Sequence, residues 1–189
     1  SKGQGEGQLV GPQNIASDED GYLYVVDYGN RRVSKFDPDG AFLFSFGGRS
    51  GAFPGFRAPT GIAARDGEVY VADNLAKTVY RFDRSGNYLG VFADSGLSGP
   101  EALRFTADGR LLLADTRRIL LLDPSSGVIR ELGSLGNASV RVTCADVDGN
   151  GNILASNFQA GEVSVMARMD DIAADRKSTR LNSSHGKLS

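Results

Sequence analysis

The sequence predicts an all-β fold: a β-propeller segment of four-stranded antiparallel blades in an incomplete ring. Three observations carry this. Residues 12–47 run as a unit of four short strands: a short first strand over 14–17, an apolar run ending at Asp27, a run ending at Asp37 and, after the Asp-Pro-Asp-Gly turn, a phenylalanine-rich run. The same order returns over 59–92, 100–132 and, less completely, 140–167. Asp27, Asp73, Asp115 and Asn157 close the second run at spacings of 46, 42 and 42 residues, and Gly21, Gly67, Gly109 and Gly151 keep the same spacings. Periods of about 40 to 50 residues with four strands each mark propeller blades, whereas leucine-rich solenoids repeat faster.

Taken in order, residues 1–10 read as a glycine-rich connector from a missing preceding blade. Blades follow at 11–47, 58–92, 99–132 and 139–168, with 169–174 unassigned. The first strand of each blade (14–17, 61–64, 102–105, 142–145) is short and placed at a central channel. The second strands (22–26, 69–72, 111–114, 153–155) are apolar on both sides, which a strand tolerates when both sheet faces are covered. Third strands start at Val33, Val79, Ile119 and Val163. The fourth are outer edges, where alternation of Phe42, Phe44 and Phe46 with Leu43 and Ser45 places three rings on one face. Asp-Gly pairs at 20–21, 39–40, 66–67 and 108–109 supply the positive φ that tight hairpins need. No segment sustains a 3.6-residue apolar period, so little helix is expected.

The repeat pattern also resembles a known family. NHL repeats follow Pro-x-Gly-Ile-Ala, a glycine turn, Tyr-Val-Ala-Asp-x-Gly-Asn-x-Arg-Val and Phe-Asp-x-x-Gly. Blade one matches at Pro12, Ile15, Ala16, Gly21, Tyr24, Val25, Asp27, Gly29, Asn30, Arg32, Val33, Phe36, Asp37 and Gly40. Blade two matches from Pro59, Gly61, Ile62 and Ala63 through Tyr70, Val71, Ala72 and Asp73 to Phe82, Asp83 and Gly86, without the Gly-Asn pair. Blade three keeps Pro100, Gly109, Asp115, Asp123 and Gly127, and blade four has Asn157 for Asp. The resemblance implies a ring of about six blades, of which four are present. It implies a ligand- or protein-binding scaffold module of a larger, bacterial, multidomain protein in an envelope or secreted setting.

The formal charge of −2 mixes unlike pieces. Residues 175–185, DRKSTRLNSSH, resemble a translated sequencing-library adapter, and 175–189 are read as a non-native tail in a metagenomic fragment. Without that tail four basic residues and one acidic residue leave and the charge becomes −5. No run of about 18 apolar residues occurs, so no membrane-spanning helix is expected in this fragment. Cys144, alone, forms no internal disulfide and reads as a small buried residue. The one histidine, His185, lies in the tail. Unpaired blade faces at either end are expected to make the fragment self-associate.

Candidate sites sort by end of the blades. First and third hairpins gather acidic residues; second hairpins and connectors gather Arg31, Arg32, Arg49, Arg57, Lys77, Arg117 and Arg118. That basic end is the expected binding face for a protein, a peptide or a small anionic ligand. Nucleic acid is disfavoured by the net charge and by the lack of aromatic residues beside Arg117 and Arg118. Asp27, Asp73 and Asp115 recur at the same place in blades one to three, which favours a structural turn role over a carboxylate site. Asp146, Asp148 and Asn150 match the first half of a calcium loop, yet position twelve is Asn157 and not a bidentate Glu, so the plain turn is favoured over bound Ca2+. The alternative function is a metal-dependent hydrolase or lyase on the same ring, of lactonase-like or amidating-lyase-like kind. No catalytic residue is assigned, and Glu101, by the channel, reads chiefly as an exposed connector residue.

Overall fold

The structure, a computed structural model, describes residues 1–134, 141–159 and 161–169. Blade one comprises β1 (Pro12–Ser17), β2 (Leu23–Asp27), β3 (Arg32–Phe36) and β4 (Phe42–Phe46), with one 3-10 turn at Tyr28–Asn30. Blade two comprises β5 (Pro59–Arg65), β6 (Glu68–Asp73), β7 (Thr78–Asp83) and β8 (Tyr88–Ala93). Blade three comprises β9 (Pro100–Phe105), β10 (Leu111–Asp115), β11 (Arg118–Leu122) and β12 (Ile129–Ser134), and blade four β13 (Val142–Val147), β14 (Asn152–Asn157) and β15 (Glu162–Arg168). Each sheet pairs its strands consecutively and antiparallel, four strands in blades one to three and three described strands in blade four. Among the described residues no helix is long and apolar enough to cross a membrane. Residues 170–174 and the adapter-like segment 175–189 lie outside the described residues.

Packing explains why the second strands carry so little polar sequence. Along β10, Leu111 and Leu113 join a core with Tyr70, Ala72 and Val79 of blade two, while Leu112 and Ala114 join one with Val142, Ile153 and Ala155 of blade four. Alternate side chains of one strand thus serve two interfaces. The interface of blades one and two holds Tyr24, Val26 and Val33 against Ile62, Val71 and Phe82, with Phe53 and Phe56 of the connector between them. The first strands approach so closely that a Cβ on Gly61 would meet Ala102 Cα at 2.8 Å and the carbonyl oxygen of Glu101 at 2.9 Å. Glycine is required there because backbone, not a movable side chain, fills the space.

Two expectations are corrected. The phenylalanines of β4 do not share one face. A bulge between Lys35 and Phe36 breaks the alternation, so Phe46 turns to Phe82 of blade two at 5.0 Å while Phe42 packs edge-on against Phe36 at 5.8 Å. Cys144 is exposed rather than buried. It lies opposite Ser156, on the side of blade four away from blade three, together with Val163 and Val165, which are 67% and 66% exposed. Ile15, 58% exposed, marks the corresponding open face of blade one.

Candidate functional site

At one end of the blades the second hairpins meet the connectors, and in blades one to three a buried carboxylate organises the meeting. Asp27, Asp73 and Asp115 are fully buried. Asp73 accepts the backbone N–H groups of Arg57 (2.6 Å), Ala58 (3.0 Å) and Ala76 (3.0 Å). Asp115 accepts those of Ser98 (2.9 Å) and Gly99 (2.7 Å), and Asp27 that of Val10 (2.7 Å). The structural role expected of these residues holds, but their partners are mostly not local. They lie 15 to 17 residues upstream, in the connector entering the blade. A buried N–H needs an acceptor, and these strand ends supply one to the connector.

The latch divides the seven basic residues. Arg32 donates to Asp27 (2.9 Å) and to the carbonyls of Gln4, Gly5 and Gln8. Arg118 donates twice to Asp115, at 2.9 and 2.7 Å, and to the carbonyl of Gly96. Both are committed to holding a connector. Arg31, Arg49, Arg57, Lys77 and Arg117 are exposed, and among the described residues none of their side chains is hydrogen-bonded or ion-paired. Arg31 and Lys77 occupy the same place in successive blades, with φ of 52° and 54° just before the third strand. Arg31 and Arg32 line a cleft of about 320 Å³ with Gln4 and Asn30, and Arg117 and Arg118 line one of about 410 Å³ with Ser98, Thr116 and Glu131. Arg49 lines a third, of about 520 Å³, beside Phe46 and Tyr88.

The opposite end is acidic, but its carboxylates are largely consumed. Asp18 accepts the amides of Asp20 and Tyr22 and the Tyr24 hydroxyl. Asp37, Asp83 and Asp148 accept amides two and four residues ahead in the same way. Asp20, Asp108 and Asp146 pair with Arg84, Arg110 and Arg104. In the calcium-like turn both Asp148 oxygens are occupied by Asn150 and Asn152, Asp146 accepts from Arg104 at 3.0 Å, and the Asn150 carbonyl accepts from Arg168. The described residues hold no cluster of three or more His, Cys, Asp or Glu side chains suited to a metal ion.

These turns make a pH-dependent contribution. Hydrogen bonds from Ser125 and Ser126 hold the Asp123 carboxyl at about 2, and the Asn152 side chain with the turn amides holds Asp148 below its ordinary value. Burial alone would raise Asp83, but hydrogen bonds from Asn87 and the turn amides bring it lower as well. A carboxyl whose folded pKa lies below the unfolded value of about 3.9 stabilises above that value and loses the contribution as pH falls through the folded one. The thermal midpoint is therefore expected to stay level from pH 7 to about 5 and to fall between about pH 4 and 2. A midpoint followed by circular dichroism that rises over the lower window would contradict the assignment.

Glu101 is not an exposed connector residue. It sits at the bulge that opens β9, accepts the Asn74 amide at 2.9 Å and pairs with Arg141, tying the second hairpin of blade two to the connector entering blade four; its side chain is 12% exposed. The sequence reading missed the apolar hairpin tips Tyr28, Leu75 and Phe158, all exposed. Their signal was an apolar residue inside a turn, directly after or two residues after the strand-closing Asp or Asn.

No protein-family model matches the sequence. The chain is similar to NHL repeat-containing protein 3 of Mus musculus, 33% identical over 144 residues that cover 70% of this chain and 40% of that protein. It is 22% identical to Protein brain tumor of Drosophila melanogaster over 133 residues, 68% of this chain and 13% of that protein. The chain thus spans less than half the length of these relatives. Among solved structures, a streptogramin B lyase aligns with a TM-score of 0.64 at 17% identity, covering 81% of this chain and 50% of the lyase. A nidogen/laminin complex aligns with a TM-score of 0.59 at 18% identity, covering 86% of this chain and 65% of that one. At such identities the likeness is one of fold.

Proposed function

We infer that this chain, an NHL-repeat β-propeller, is a ligand- or protein-binding module whose recognition face is the connector end. One observation carries the reading. The exposed cations of that end, Arg31, Arg49, Arg57, Lys77 and Arg117, lack partners among the described residues, while most carboxylates of the other end are spent on their own turns or on arginines. Uncompensated charge attracts a ligand; satisfied charge does not. Glu6 and Asp94, in the connectors, temper the basic character without reversing it. The test is a peptide-display selection against the chain, followed by mapping. Selected ligands are expected to lose binding to a variant with Arg31→Asn, Lys77→Asn and Arg117→Gln, since asparagine tolerates the positive φ at the first two positions. They are expected to keep binding when Asp39 and Asp66 are replaced by asparagine. The opposite pattern would overturn the reading.

The relatives whose names denote NHL-repeat proteins support a binding module; the lyase neighbour supports the fold of an enzyme without its chemistry. The turn formed by Asp146, Asp148 and Asn150 is assigned no calcium, because both Asp148 oxygens and one Asp146 oxygen already accept hydrogen bonds. Calorimetric titration with calcium is expected to show no heat from this turn, and a binding isotherm abolished by Asp148→Asn would reverse the assignment.

A further inference from the structure

The second hairpins present more than charge. Tyr28 in blade one is 40% exposed, Leu75 in blade two 58% and Phe158 in blade four 76%. Each follows the strand-closing Asp27, Asp73 or Asn157 by one or two residues. Arg31, Lys77 and Arg117 stand exposed in the second hairpins of blades one, two and three. In blades one and two the polar asparagine of the same turn is engaged, Asn30 with Asp27 and the Gly3 carbonyl, Asn74 with Glu101. The fold therefore uses the inner part of each hairpin and leaves the tips unused. Large apolar side chains held in water gain by being covered, and isolated surface cations add little to stability.

Resting on the reading of the connector end as the recognition face, we propose that these tips together bind an acidic protein segment that also carries large apolar side chains. Its carboxylates meet Arg31, Lys77 and Arg117, and its apolar groups cover Tyr28, Leu75 and Phe158. The mixture is the argument. A purely acidic polymer leaves the apolar tips wet, and a neutral apolar peptide leaves the cations unmatched. Single-stranded RNA stacks its bases on rings, which Tyr28 and Phe158 offer but Leu75 does not. The tip side chain changes from hairpin to hairpin, which suits a peptide whose side chains vary better than a uniform phosphate backbone.

The test is fluorescence anisotropy with a labelled peptide alternating glutamate with leucine and phenylalanine. The comparators are polyglutamate of equal charge, the same peptide with glutamine for glutamate, oligo-uridine and phosphatidylserine vesicles. The acidic apolar peptide is expected to bind, and polyglutamate and the glutamine peptide at least about tenfold more weakly. Tyr28→Ser, Leu75→Asn and Phe158→Ser should each weaken binding about fivefold while leaving its salt dependence intact. Arg31→Asn, Lys77→Asn and Arg117→Gln should weaken it and flatten that dependence. Equal binding of polyglutamate, tighter binding of oligo-uridine or vesicles, or no binding of the peptide would overturn the assignment. If display-selected ligands still map to the connector end while this peptide does not bind, the partner chemistry fails and the recognition face stands. If they map to the acidic end, both fail.

Discussion

Replacing Asp73 by alanine is expected to destabilise the chain by about 3 to 5 kcal/mol. Its carboxylate is fully buried and accepts three backbone amides, two of them from the connector that joins blade one to blade two. Alanine leaves those donors without an acceptor in a site that admits little water. Each buried unsatisfied group costs about 1 to 3 kcal/mol, and the connector relieves part of that only by lifting away. Asp73→Asn should cost less, because one amide oxygen still accepts. The exposed Asp39→Ala should change stability by less than about 0.5 kcal/mol. Urea unfolding monitored by circular dichroism reads all three; an Asp73→Ala change below about 1 kcal/mol would show that the carboxylate does not hold the connector.

Phe53→Ala is expected to cost about 3 to 5 kcal/mol by loss of buried area and the cavity it leaves. Phe53 is 2% exposed, and its ring centroid lies 5.0 Å from Phe56 and Tyr88, 5.1 Å from Phe82 and 5.2 Å from Tyr80. These are mostly edge-to-face contacts, which add to area burial. Phe53 belongs to no strand; it is a plug that the connector drives between two blades. Its removal should lower the urea midpoint and release blade one at lower denaturant than blades two and three. Unfolding indistinguishable from the parent chain would mean that blades one and two are held by their strands alone.

These two residues show where the sequence was legible and where it was not. The blade period could be read because one strand-closing residue and one glycine recur at fixed spacing, Asp27 to Asp73 to Asp115 and Gly21 to Gly67 to Gly109. The apolar second strands could be read because burial on both faces removes alternation. The role of Phe53 could not, since a glycine-rich connector hides it, with Phe56, among turn formers. Arg32 and Arg118 look in the sequence like their neighbours Arg31 and Arg117, and only the strand-closing aspartate across the hairpin separates a latched arginine from a free one. Phe42 was misplaced because a bulge shifts parity without a glycine to announce it. Glu101 was misjudged because its partners, Asn74 and Arg141, lie 27 and 40 residues away.

Amide hydrogen exchange along the chain, with and without the acidic apolar peptide, tests most directly whether recognition occurs at the connector end. Added protection is expected around residues 28–31, 74–77, 116–118 and 157–159, with the hairpins at 18–21, 37–40, 66–67 and 108–109 unchanged. Protection confined to the second set would contradict the account.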